Sequence, residues 1–497
     1  ELIYRCDAPW ERRLMRMRAK PQEDGCVTLT HDLLSAERAA VPPIAYRHGA
    51  GERCAIEAAA AGHEVLVLSV VPPRRSHSCA AQGGMQAALA NCVKAEGDNS
   101  TVHFLDTVRG SDWGADQEVA NIFAEEAIVA VREMAHFGVP WTRLRGGKNK
   151  YFIKGDEVEI DEDIENDGLI MHRDFGGTAK WRACYAAAGT GHAALYAVDS
   201  EVVRLGITVR DRTEAVSLIH DGSRCLGAVV RCLRTGRHFA VMAKATVIAT
   251  GGYGRIYGQY TSNAVINEGT GASIALDTGI VPLGNMEAVQ FHPTGLIPSG
   301  ILLTEGCRGE GGILVNKDGY RYLQDYGMGP ETPIGKPELK TMELGPRDRL
   351  SQAFWHEHNK GNTVETIWGN CVLLDMRHLG EKRIRERLPL VHELALAYVG
   401  VDMIKDPVPV RPVIHFMMGG IDSNINGETP MPGLFAIGEC SCSGLHGANR
   451  LGSNSLTELL VAGKRSADRA MAYAIEKGRA KDDPAIAKQA DDIVAAV

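Results

Sequence analysis

The fold of this chain is decided by the stretch Arg74-Arg75-Ser76-His77-Ser78-Cys79-Ala80-Ala81-Gln82-Gly83-Gly84-Met85-Gln86. An apolar segment over 65–71, predicted to be a strand, precedes it, and an alanine-rich segment, predicted to be a helix, follows it. Between a strand end and a helix start, α/β sheets place ligands that carry phosphates, because paired glycines allow close backbone approach and helix N–H groups attract anions. An ordinary polar loop after a buried strand explains the same residues, so this stretch alone leaves both interpretations open.

Length and composition indicate a large protein with several domains. Its 497 residues and 44% hydrophobic content suffice for two or three domains with their own cores. The net charge of −8 comes without a basic stripe, which argues against nucleic acid as a partner. The 12 cysteines show no CxxC spacing, so we predict reduced thiols and no metal or iron–sulfur site in this chain. No apolar run approaches the ~20 residues that span a bilayer, and we predict membrane contact only through partners.

The segments around the opening stretch predict a nucleotide-binding α/β unit. A helix over 55–61, a stop at Gly62 and a strand over 64–69 follow one another in a regular pattern. Residues 97–113 are predicted to form a loop, and residues 116–137 an amphipathic helix.

The start of this unit is irregular. Residues 43–47 make a poor strand for the beginning of a dinucleotide-binding domain. Gly49 and Gly51 begin a GxGxxG motif, but Cys54 occupies the place of its third glycine. A broken motif of this kind is weak support for nucleotide binding.

Later segments predict that the nucleotide domain is interrupted and then resumed. Short strands with two tight turns over 215–242 predict a small antiparallel meander. A buried strand over 245–249 then ends in Thr250-Gly251-Gly252, an arrangement typical of large flavoproteins. Residues 284–412 form an inserted segment, and a strand over 434–437 resumes the domain.

The glycine-rich loop over 444–452 predicts the start of a helix. Ser455 with Glu458 fits a capping box, in which both side chains satisfy free backbone N–H groups at a helix start. The alanine-rich tail after Gly478 predicts a further helix.

Four polar clusters carry the candidate chemistry. Each alone has a structural explanation, such as a histidine that fills local hydrogen bonds or a Glu and Arg that form a local ion pair. Together they predict a site rich in His and Arg with few free carboxylates, as binding of a small dianion requires. The clusters are Gln290-Phe291-His292-Pro293-Thr294, Leu303-Thr304-Glu305-Gly306-Cys307-Arg308-Gly309-Glu310-Gly311-Gly312, His415-Phe416-Met417-Met418-Gly419-Gly420 and His446-Gly447-Ala448-Asn449-Arg450-Leu451-Gly452-Ser453-Asn454-Ser455.

These motifs resemble, in their order, the flavoprotein subunits of fumarate reductase and succinate dehydrogenase. The resemblance extends over residues 49–475, and several motifs in a fixed order are not expected by chance. Segments 97–120 and 176–198 are more similar to the menaquinol-linked fumarate reductases of anaerobic bacteria than to mitochondrial succinate dehydrogenase. The motifs that carry the resemblance are Ser76-His77-Ser78, Ala81-Gln82-Gly83-Gly84, Thr304-Glu305-Gly306-Cys307-Arg308-Gly309, His415 with Gly419-Gly420, and residues 446–455.

The resemblance implies a covalently bound FAD. His77 matches the histidine that carries the flavin, and an alkylated imidazole raises the flavin potential, which favours hydride exchange with the succinate/fumarate pair. Glu439 matches a flavin-contacting position, and the helix start at Asn454-Ser455-Leu456 is where an N-terminus stabilises the reduced, anionic ring. The other residues predicted to bind the cofactor are Ser76, Ser78, Gln82, Gly83, Gly84, Gly49, Gly51, Ala215, Ala249, Thr250 and Gly251.

The resemblance also implies a dicarboxylate site. Arg347 matches the residue that delivers a proton to the substrate, and Glu305 and Arg308 match a relay that returns a proton to it. A surface ion pair with Asp348 or Glu343 is the structural alternative for Arg347. The residues that match the groups holding the two carboxylates are His292, Thr304, His415 and Arg450.

The fold class implied is α/β, with a discontinuous Rossmann-like FAD-binding domain of the glutathione-reductase type. An inserted α+β capping domain and the start of a C-terminal helical region accompany it. Residues 1–44 depart from the family pattern and stay unassigned, and we expect the sequence to be incomplete, because the family continues beyond the last flavin motif. The predicted boundaries are 45–283 and 413–475 for the FAD-binding domain, 284–412 for the capping domain and 476–497 for the start of the helical domain.

The resulting hypothesis is the catalytic subunit of a membrane-bound quinol:fumarate reductase, which reduces fumarate to succinate in anaerobic respiration. The resemblance implies an iron–sulfur subunit and a membrane cytochrome b subunit with haem and menaquinone, at the cytoplasmic face of the bacterial inner membrane. Two alternatives stay open. One is a succinate dehydrogenase flavoprotein subunit with the same site residues, and the other is a non-catalytic flavin-binding electron-transfer subunit.

Overall fold

The structure is a computed structural model that describes the two ends of the chain in less detail than its middle. Side chains are described from residue 49 onward within the backbone ranges given next, apart from those of residues 152, 484–487, 490 and 496. The backbone is described for residues 2–5, 11–21, 27–38, 43–46, 49–153, 156–174, 177–187, 189–338, 340–477 and 484–496.

The secondary structure of these ranges is mixed, with strands and helices alternating along much of the chain. In chain order, the strands are β1 (Leu2–Arg5), β2 (Glu11–Pro21), β3 (Val27–Arg38), β4 (Pro43–Tyr46), β5 (Leu66–Leu68), β6 (Met85–Gln86), β7 (Gly147–Ile153), β8 (Asp156–Glu162), β9 (His172–Arg173), β10 (Ala183–Cys184), β11 (Thr208–Arg210), β12 (Thr213–His220), β13 (Cys225–Cys232), β14 (His238–Met242), β15 (Thr246–Ala249), β16 (Leu283–Gly284), β17 (Val289–Leu296), β18 (Ile313–Val315), β19 (Val364–Thr366), β20 (Gly369–Asp375), β21 (Val408–Met417), β22 (Gly420–Asp422), β23 (Leu434–Ala436) and β24 (Ser441–Cys442). The helices are α1 (Gly49–Ala60), α2 (Ser100–Gly110), α3 (Gln117–His136), α4 (Thr190–Arg204), α5 (Thr270–Leu276), α6 (Gly306–Gly309), α7 (Arg347–Asn359), α8 (Glu381–Arg387), α9 (Pro389–Val399), α10 (Asn454–Lys477) and α11 (Pro484–Ala496).

A five-stranded parallel sheet organises the nucleotide-binding part of the fold. Its strand order is β11-β5-β4-β15-β23, and every neighbouring pair runs parallel. All residues of β5, β15 and β23 are buried, as expected for strands covered by helices on both faces. Because the strands are parallel, the segments that follow them meet at one edge, where sheets of this class bind their ligands. The predicted α/β class is confirmed.

The start of this sheet differs from the sequence prediction. Residues 43–46, judged a poor strand, form the central strand β4, which pairs with both β5 and β15. Gly49 and Gly51 lie in the first turn of α1 rather than in a loop before it. Pairing on both sides stabilises a strand irrespective of its local propensity. The residue pattern of 43–47 therefore did not predict this strand.

The predicted loop over 97–113 is wrong, because residues 100–110 form α2. Asn99 caps this helix by accepting a hydrogen bond from the Val102 backbone N–H at 3.0 Å. The buried face of α2 is largely polar, and its Asp106 pairs with the fully buried Arg182 at 2.8 Å. Arg182 also binds Asp98 at 2.8 Å, just before the helix. A helix that faces the core with charged residues lacks the apolar stripe on which sequence patterns rely.

The helix predicted after Gln86 is also wrong. Residues 87–90 have no regular secondary structure, because their neighbours bind other segments instead. The Gln86 N–H donates to the Ser453 carbonyl at 3.1 Å, and the Ala87 N–H donates to the Arg182 carbonyl at 3.2 Å. These long-range bonds replace the local bonds that a helix requires.

The antiparallel meander predicted over 215–242 is confirmed as β12, β13 and β14. Within the tail predicted to be helical after residue 478, the described residues Pro484–Ala496 form α11, and Ile493 and Val494 pack against the meander. Among the described helices, none combines the length and the apolar character needed to cross a bilayer.

The inserted segment has a sheet and a hydrophobic core of its own. The sheet has the order β17-β21-β20-β18, with β19 beside β20. A cluster of buried residues, all between Leu296 and Val410, fills the space between this sheet and helices α7, α8 and α9. The division at 284–412 stays a prediction, and β21 crosses its end on the way back to the parallel sheet.

Candidate active site

His77 lies in a loop over 73–80 that two short 3-10 turns shape. The loop is fixed to α4, because Arg74 pairs with Asp199 and its guanidinium stacks over the Tyr196 ring at 5.0 Å. The residue as a whole is half-buried, and desolvation by the surrounding protein lowers the pKa of His77 to about 4. The imidazole is therefore neutral at pH 7.

Two glycines allow the loop to approach its neighbours closely. A Cβ on Gly191, in the first turn of α4, would lie 2.2 Å from the Ser78 carbonyl oxygen. Gly84 has φ +152°, and a Cβ there would lie 2.8 Å from the Cys184 carbonyl oxygen. Any larger residue at either position would displace the loop that holds His77.

The predicted cofactor residues Gly49, Gly51, Ala249, Thr250 and Gly251 all lie at the ligand edge of the parallel sheet. The first two open α1, which follows β4. The other three end or directly follow β15. These segments bring residues two hundred positions apart to the same edge.

Glu439 and Ala215, also predicted to bind the cofactor, lie outside the turns that follow β4 and β15. Glu439 follows β23, and its Oε1 accepts a hydrogen bond from the Met417 N–H at 3.1 Å. Burial raises the pKa of Glu439 to about 7, so this carboxyl titrates near neutral pH. Ala215 lies in β12, paired with Val230 within the meander.

The N-terminus of α10 is held by α2. The Asn454 amide is bound at both ends, with Oδ1 3.0 Å from His103 Nε2 and Nδ2 donating to Thr107 Oγ1 at 3.0 Å. Burial lowers the pKa of His103 to about 3, so the ring is neutral and donates to Asn454. Because its side chain is engaged within the protein, Asn454 fixes the direction of α10, whose first turn also contains Ser455 and Leu456.

The capping box predicted at Ser455 and Glu458 is wrong. Helix α10 begins at Asn454, one residue earlier, so Ser455 lies within its first turn. The Glu458 carboxylate is 2.8 Å from His446 Nε2, and both side chains are buried. This buried hydrogen bond satisfies the carboxyl group, which diverts Glu458 from the cap.

The residues present fit an FAD. Buried side-chain oxygens without a hydrogen-bond partner in the described part of the chain occur in the motifs predicted to bind it, at Ser76 Oγ, Gln82 Oε1 and Ser453 Oγ. A buried polar atom without a partner costs about 1–3 kcal/mol, so a polar ligand at these positions is favoured. Ser76, Ser78, Gln82, Gly83 and Gly84 flank His77, and all lie within this one loop and its continuation.

Arg347 and Glu305 form the centre of the polar cluster. Arg347 begins α7, and its Nε and Nη2 are both 3.1 Å from Glu305 Oε2. Arg308, fully buried in α6, has its Nη2 3.8 Å from the same oxygen. Arg347 is therefore hydrogen-bonded to Glu305, and Arg308 adds a second positive charge at ion-pair distance from the same oxygen. The alternative ion pairs of Arg347 with Asp348 or Glu343 do not form, and Glu343 instead pairs with Arg321.

A glutamine joins Arg347 to Arg450. Gln290 Oε1 accepts from Arg347 Nη1 and from Arg450 Nη2, each at 3.1 Å. Its amide nitrogen donates to Asn449 Oδ1 at 2.6 Å and to the Arg450 carbonyl at 2.8 Å. The Arg450 guanidinium also lies over the Phe416 ring at 4.6 Å. Burial, and next the charge of Arg347, lower the pKa of Arg450 to about 9, so it stays cationic at pH 7.

Two histidines lie beside these arginines. The rings of His292 and His415 meet edge to face, with centroids 5.3 Å apart. Burial and then neighbouring arginine charges hold the pKa of each well below its usual value. His77 is close enough to contribute to the lowered pKa of His415, which links this cluster to the cofactor loop.

Thr304 is held near β17, the strand that carries His292. It directly follows Leu303, whose backbone pairs with Thr294 of β17 through an N–H···O bond of 2.9 Å. Thr304 Oγ1 accepts a hydrogen bond from the Gly306 N–H at 3.3 Å, at the start of α6. All seven residues predicted to bind or convert the dicarboxylate therefore lie on segments that meet here.

Sequence reasoning gave no role to several residues of this region. Gln290 belongs to the first of the four polar clusters in the sequence. Its hydrogen-bond partners Arg347 and Arg450 lie 57 and 160 positions away along the chain. Ser262 and His103, which bind His415 and Asn454, were not singled out. A single sequence carries no signal for these contacts, because hydrogen bonds of this separation follow no periodicity.

The parallel sheet and its glycine turns define a nucleotide-binding flavoprotein, and comparison with known proteins gives the family. A family model described as FAD binding domain matches residues 49–456. The fumarate reductase flavoprotein subunit of Helicobacter pylori strain 26695 is 45% identical over 454 residues, which cover 86% of this chain and 62% of that protein. The corresponding subunit of Escherichia coli K12 is 47% identical over 437 residues, with 87% and 68% covered.

Solved structures agree with these relatives. A mutant E. coli quinol fumarate reductase matches with a TM-score of 0.82 at 46% identity, over 91% of this chain and 73% of that chain. A quinol-fumarate reductase with menaquinol molecules matches with a TM-score of 0.83 at 45% identity, over 92% and 74%. The chain therefore belongs to the FAD-binding family and, within it, to the fumarate reductase flavoprotein subunits. It spans about three fifths of the length of the H. pylori relatives that it matches.

Proposed function

We propose that this chain is the catalytic subunit of a quinol:fumarate reductase and reduces fumarate to succinate. The observation that carries the proposal is the Gln290 bridge, which holds Arg347 and Arg450 together beside His292 and His415. Two guanidinium groups and two ring N–H donors on one wall suit a ligand with two carboxylates. The membership in the fumarate reductase family supports the same substrate.

The clamp residues bind and polarise the substrate. His292, Thr304, His415 and Arg450 together hold the two carboxylates of the substrate. Because Arg450 is buried and cationic, charge that develops on a carboxylate during the reaction is stabilised as it forms. When bound, FAD supplies the hydride that one alkene carbon receives.

Arg347 supplies the proton that the second alkene carbon receives. The carbanion that forms there is far more basic than an ordinary acceptor, which allows a guanidinium to act as the acid. A proton taken up from solvent then passes through Glu305 to Arg347 across the 3.1 Å contact, and Arg308 stabilises the Glu305 carboxylate once that proton has left. Fumarate thus gains one hydride and one proton, and the product is succinate.

We propose that His77 carries the FAD covalently and that Ser76, Ser78, Gln82, Gly83 and Gly84 surround it. Gly49, Gly51, Ala215, Ala249, Thr250, Gly251 and Glu439 would hold the rest of the cofactor, with the start of α10 at the flavin ring. The neutral state of His77 supports the attachment, since a neutral imidazole keeps the nitrogen lone pair that a bond to carbon requires.

The proposed partners are an iron–sulfur subunit and a membrane cytochrome b subunit with menaquinone. The structures that match include a quinol-fumarate reductase with menaquinol molecules, which supports a quinol as the electron source. Iron–sulfur clusters and haem would belong to those partners. The complex would place this chain at the cytoplasmic face of the bacterial inner membrane, as a peripheral subunit.

Succinate dehydrogenase is the second candidate function. The Sdh1 complex of Mycobacterium smegmatis in the apo form matches with a TM-score of 0.73 at 32% identity. The same residues serve the reverse reaction, with Arg347 accepting the proton. The ratio of fumarate reduction, measured with a reduced dye as electron donor, to succinate oxidation, measured with an oxidised dye as electron acceptor, distinguishes the two directions.

The proposal is tested by oxidation of a reduced viologen dye by the FAD-loaded protein. We expect oxidation that depends on fumarate and that malonate, an unreactive dicarboxylate, inhibits. Omission of fumarate is the control for oxidation by traces of oxygen. Dye oxidation at the same rate with and without fumarate would instead favour a non-catalytic electron-transfer subunit.

Replacing Gln290 by leucine should lower kcat/KM for fumarate about 10- to 100-fold. Leucine has a similar volume but cannot bridge Arg347 and Arg450, and a loss of this size corresponds to one hydrogen bond to a charged group, worth about 1.5–3 kcal/mol. The matched control is Gln352→Leu, at an exposed glutamine of α7. Equal kcat/KM for the Gln290 variant and the wild type would remove the bridge from the mechanism.

A further inference from the structure

We infer that Ser262 is a positioning residue that fixes the tautomer of His415. With Ser262 in place, both His292 and His415 are neutral rings that carry their proton on Nε2 and offer it to a dicarboxylate dianion. The inference rests on the proposed function and deepens it, because it specifies how the site recognises the charge of its substrate.

The tautomer of His292 follows from a backbone contact. The Thr294 backbone N–H lies 3.3 Å from His292 Nδ1 and can only donate, so Nδ1 is an acceptor. The Thr294 hydroxyl is also 3.3 Å from Nδ1, but its hydrogen goes to the Leu303 carbonyl at 2.8 Å. The ring proton of a neutral His292 therefore resides on Nε2.

At His415 a side-chain hydroxyl, that of Ser262, takes the place that the Thr294 backbone N–H has at His292. Ser262 Oγ lies 2.8 Å from His415 Nδ1. The other acceptor near Ser262 Oγ is the Ile414 carbonyl at 3.5 Å, which already accepts from the Ser262 N–H and the Thr261 hydroxyl, each at 2.9 Å. Because both lone pairs of that carbonyl are engaged, the Ser262 hydroxyl donates to Nδ1, and Nε2 keeps the ring proton.

The segment that carries Ser262 is itself fixed to β21. Asn263 Nδ2 donates to the His415 carbonyl at 2.9 Å, and Thr261 pairs with Ile414 as an isolated bridge. The hydroxyl is therefore held against His415 from a rigid element. A positioning residue requires this rigidity, since a mobile donor would not select one tautomer.

The charges around the two rings favour the neutral form. Besides burial, Arg347 and Arg450 lower the pKa of both rings, and Arg308 also lowers that of His292. The carboxyls that act on Arg450 in turn are Glu439, Glu458 and Glu305. Protonated rings would be repelled by the arginines and would add positive charge that a dicarboxylate does not need.

The test is a double-mutant cycle that measures malonate binding to the FAD-loaded protein by isothermal titration calorimetry. Ser262→Ala should weaken malonate binding about tenfold, and Ser262→Thr, which keeps the hydroxyl, should restore it. In a His415→Gln background, Ser262→Ala should have no further effect, because an amide has no tautomer to select. Ser200→Ala, at an exposed serine of α4, is the control.

The outcomes distinguish failure of the role proposed for Ser262 from failure of the proposed dicarboxylate site. Additive losses in the His415→Gln background, or unchanged binding by Ser262→Ala, would overturn the role of Ser262 while the dicarboxylate site stands. A wild-type protein that binds no malonate would overturn the proposed function and this inference with it.

A second measurement does not depend on the folding of the alanine variant. Nitrogen-15 NMR of histidine-labelled wild-type protein, with His292→Gln and His415→Gln as assignment controls, should show a non-protonated Nδ1 and a protonated Nε2 for both rings. A protonated Nδ1 at His415 would contradict the inference.

Discussion

Replacing Arg347 by lysine is expected to lower kcat for fumarate reduction by about 10²–10⁴-fold, the range over which a positioned acid contributes to catalysis. The arginine uses three nitrogens at once, two toward Glu305 and one toward Gln290. A lysine side chain has a single nitrogen and cannot contact both Glu305 and Gln290. The proton is then not directed at the substrate carbon, and Glu305 does not return it to the side chain.

Dicarboxylate binding should survive this substitution within about threefold, because Arg450, His292 and His415 remain. The measurement is kcat with a reduced dye together with the dissociation constant of malonate. Arg349→Lys, at an exposed arginine two residues further along α7, is the matched control and should keep full turnover. Full activity of the Arg347 variant would remove this residue from the mechanism.

Replacing His77 by serine is expected to give protein that binds FAD but releases it on denaturation. Serine cannot form the proposed bond from an imidazole nitrogen, whereas the non-covalent contacts of the loop remain. Loss of the electron-withdrawing attachment should lower the flavin potential, so succinate oxidation should fall more than fumarate reduction.

The attachment is measured by acid precipitation, with flavin counted in the pellet and the supernatant. In the wild type the flavin should stay in the pellet, and in the His77→Ser variant it should appear in the supernatant. His192→Ser, at an exposed histidine of α4, should behave as the wild type. Flavin that stays with the precipitated His77 variant would show that the attachment lies elsewhere.

Some elements of the fold were predictable from the sequence, and others were not. The meander over 215–242 and the strand over 245–249 were predicted from alternation and turn residues, which are local signals. The helix α2 was missed, because its buried face holds Asp106 and His103, whose partners Arg182 and Asn454 come from distant segments. Burial of polar residues depends on such partners, and periodicity does not reveal them.

The amino-acid sequence by itself determined the family, the α/β class and the residues that supply charge to the site, because motifs such as residues 76–84 and 446–455 carry their identity in local order. Only the tertiary structure decided how those charges are held: the bridge of Gln290, the hold of α2 on Asn454 and the contact of Ser262 with His415. The physical reason is that a hydrogen bond fixes its two atoms to within a few tenths of an ångström. That geometry is set by folding, from positions more than fifty residues apart.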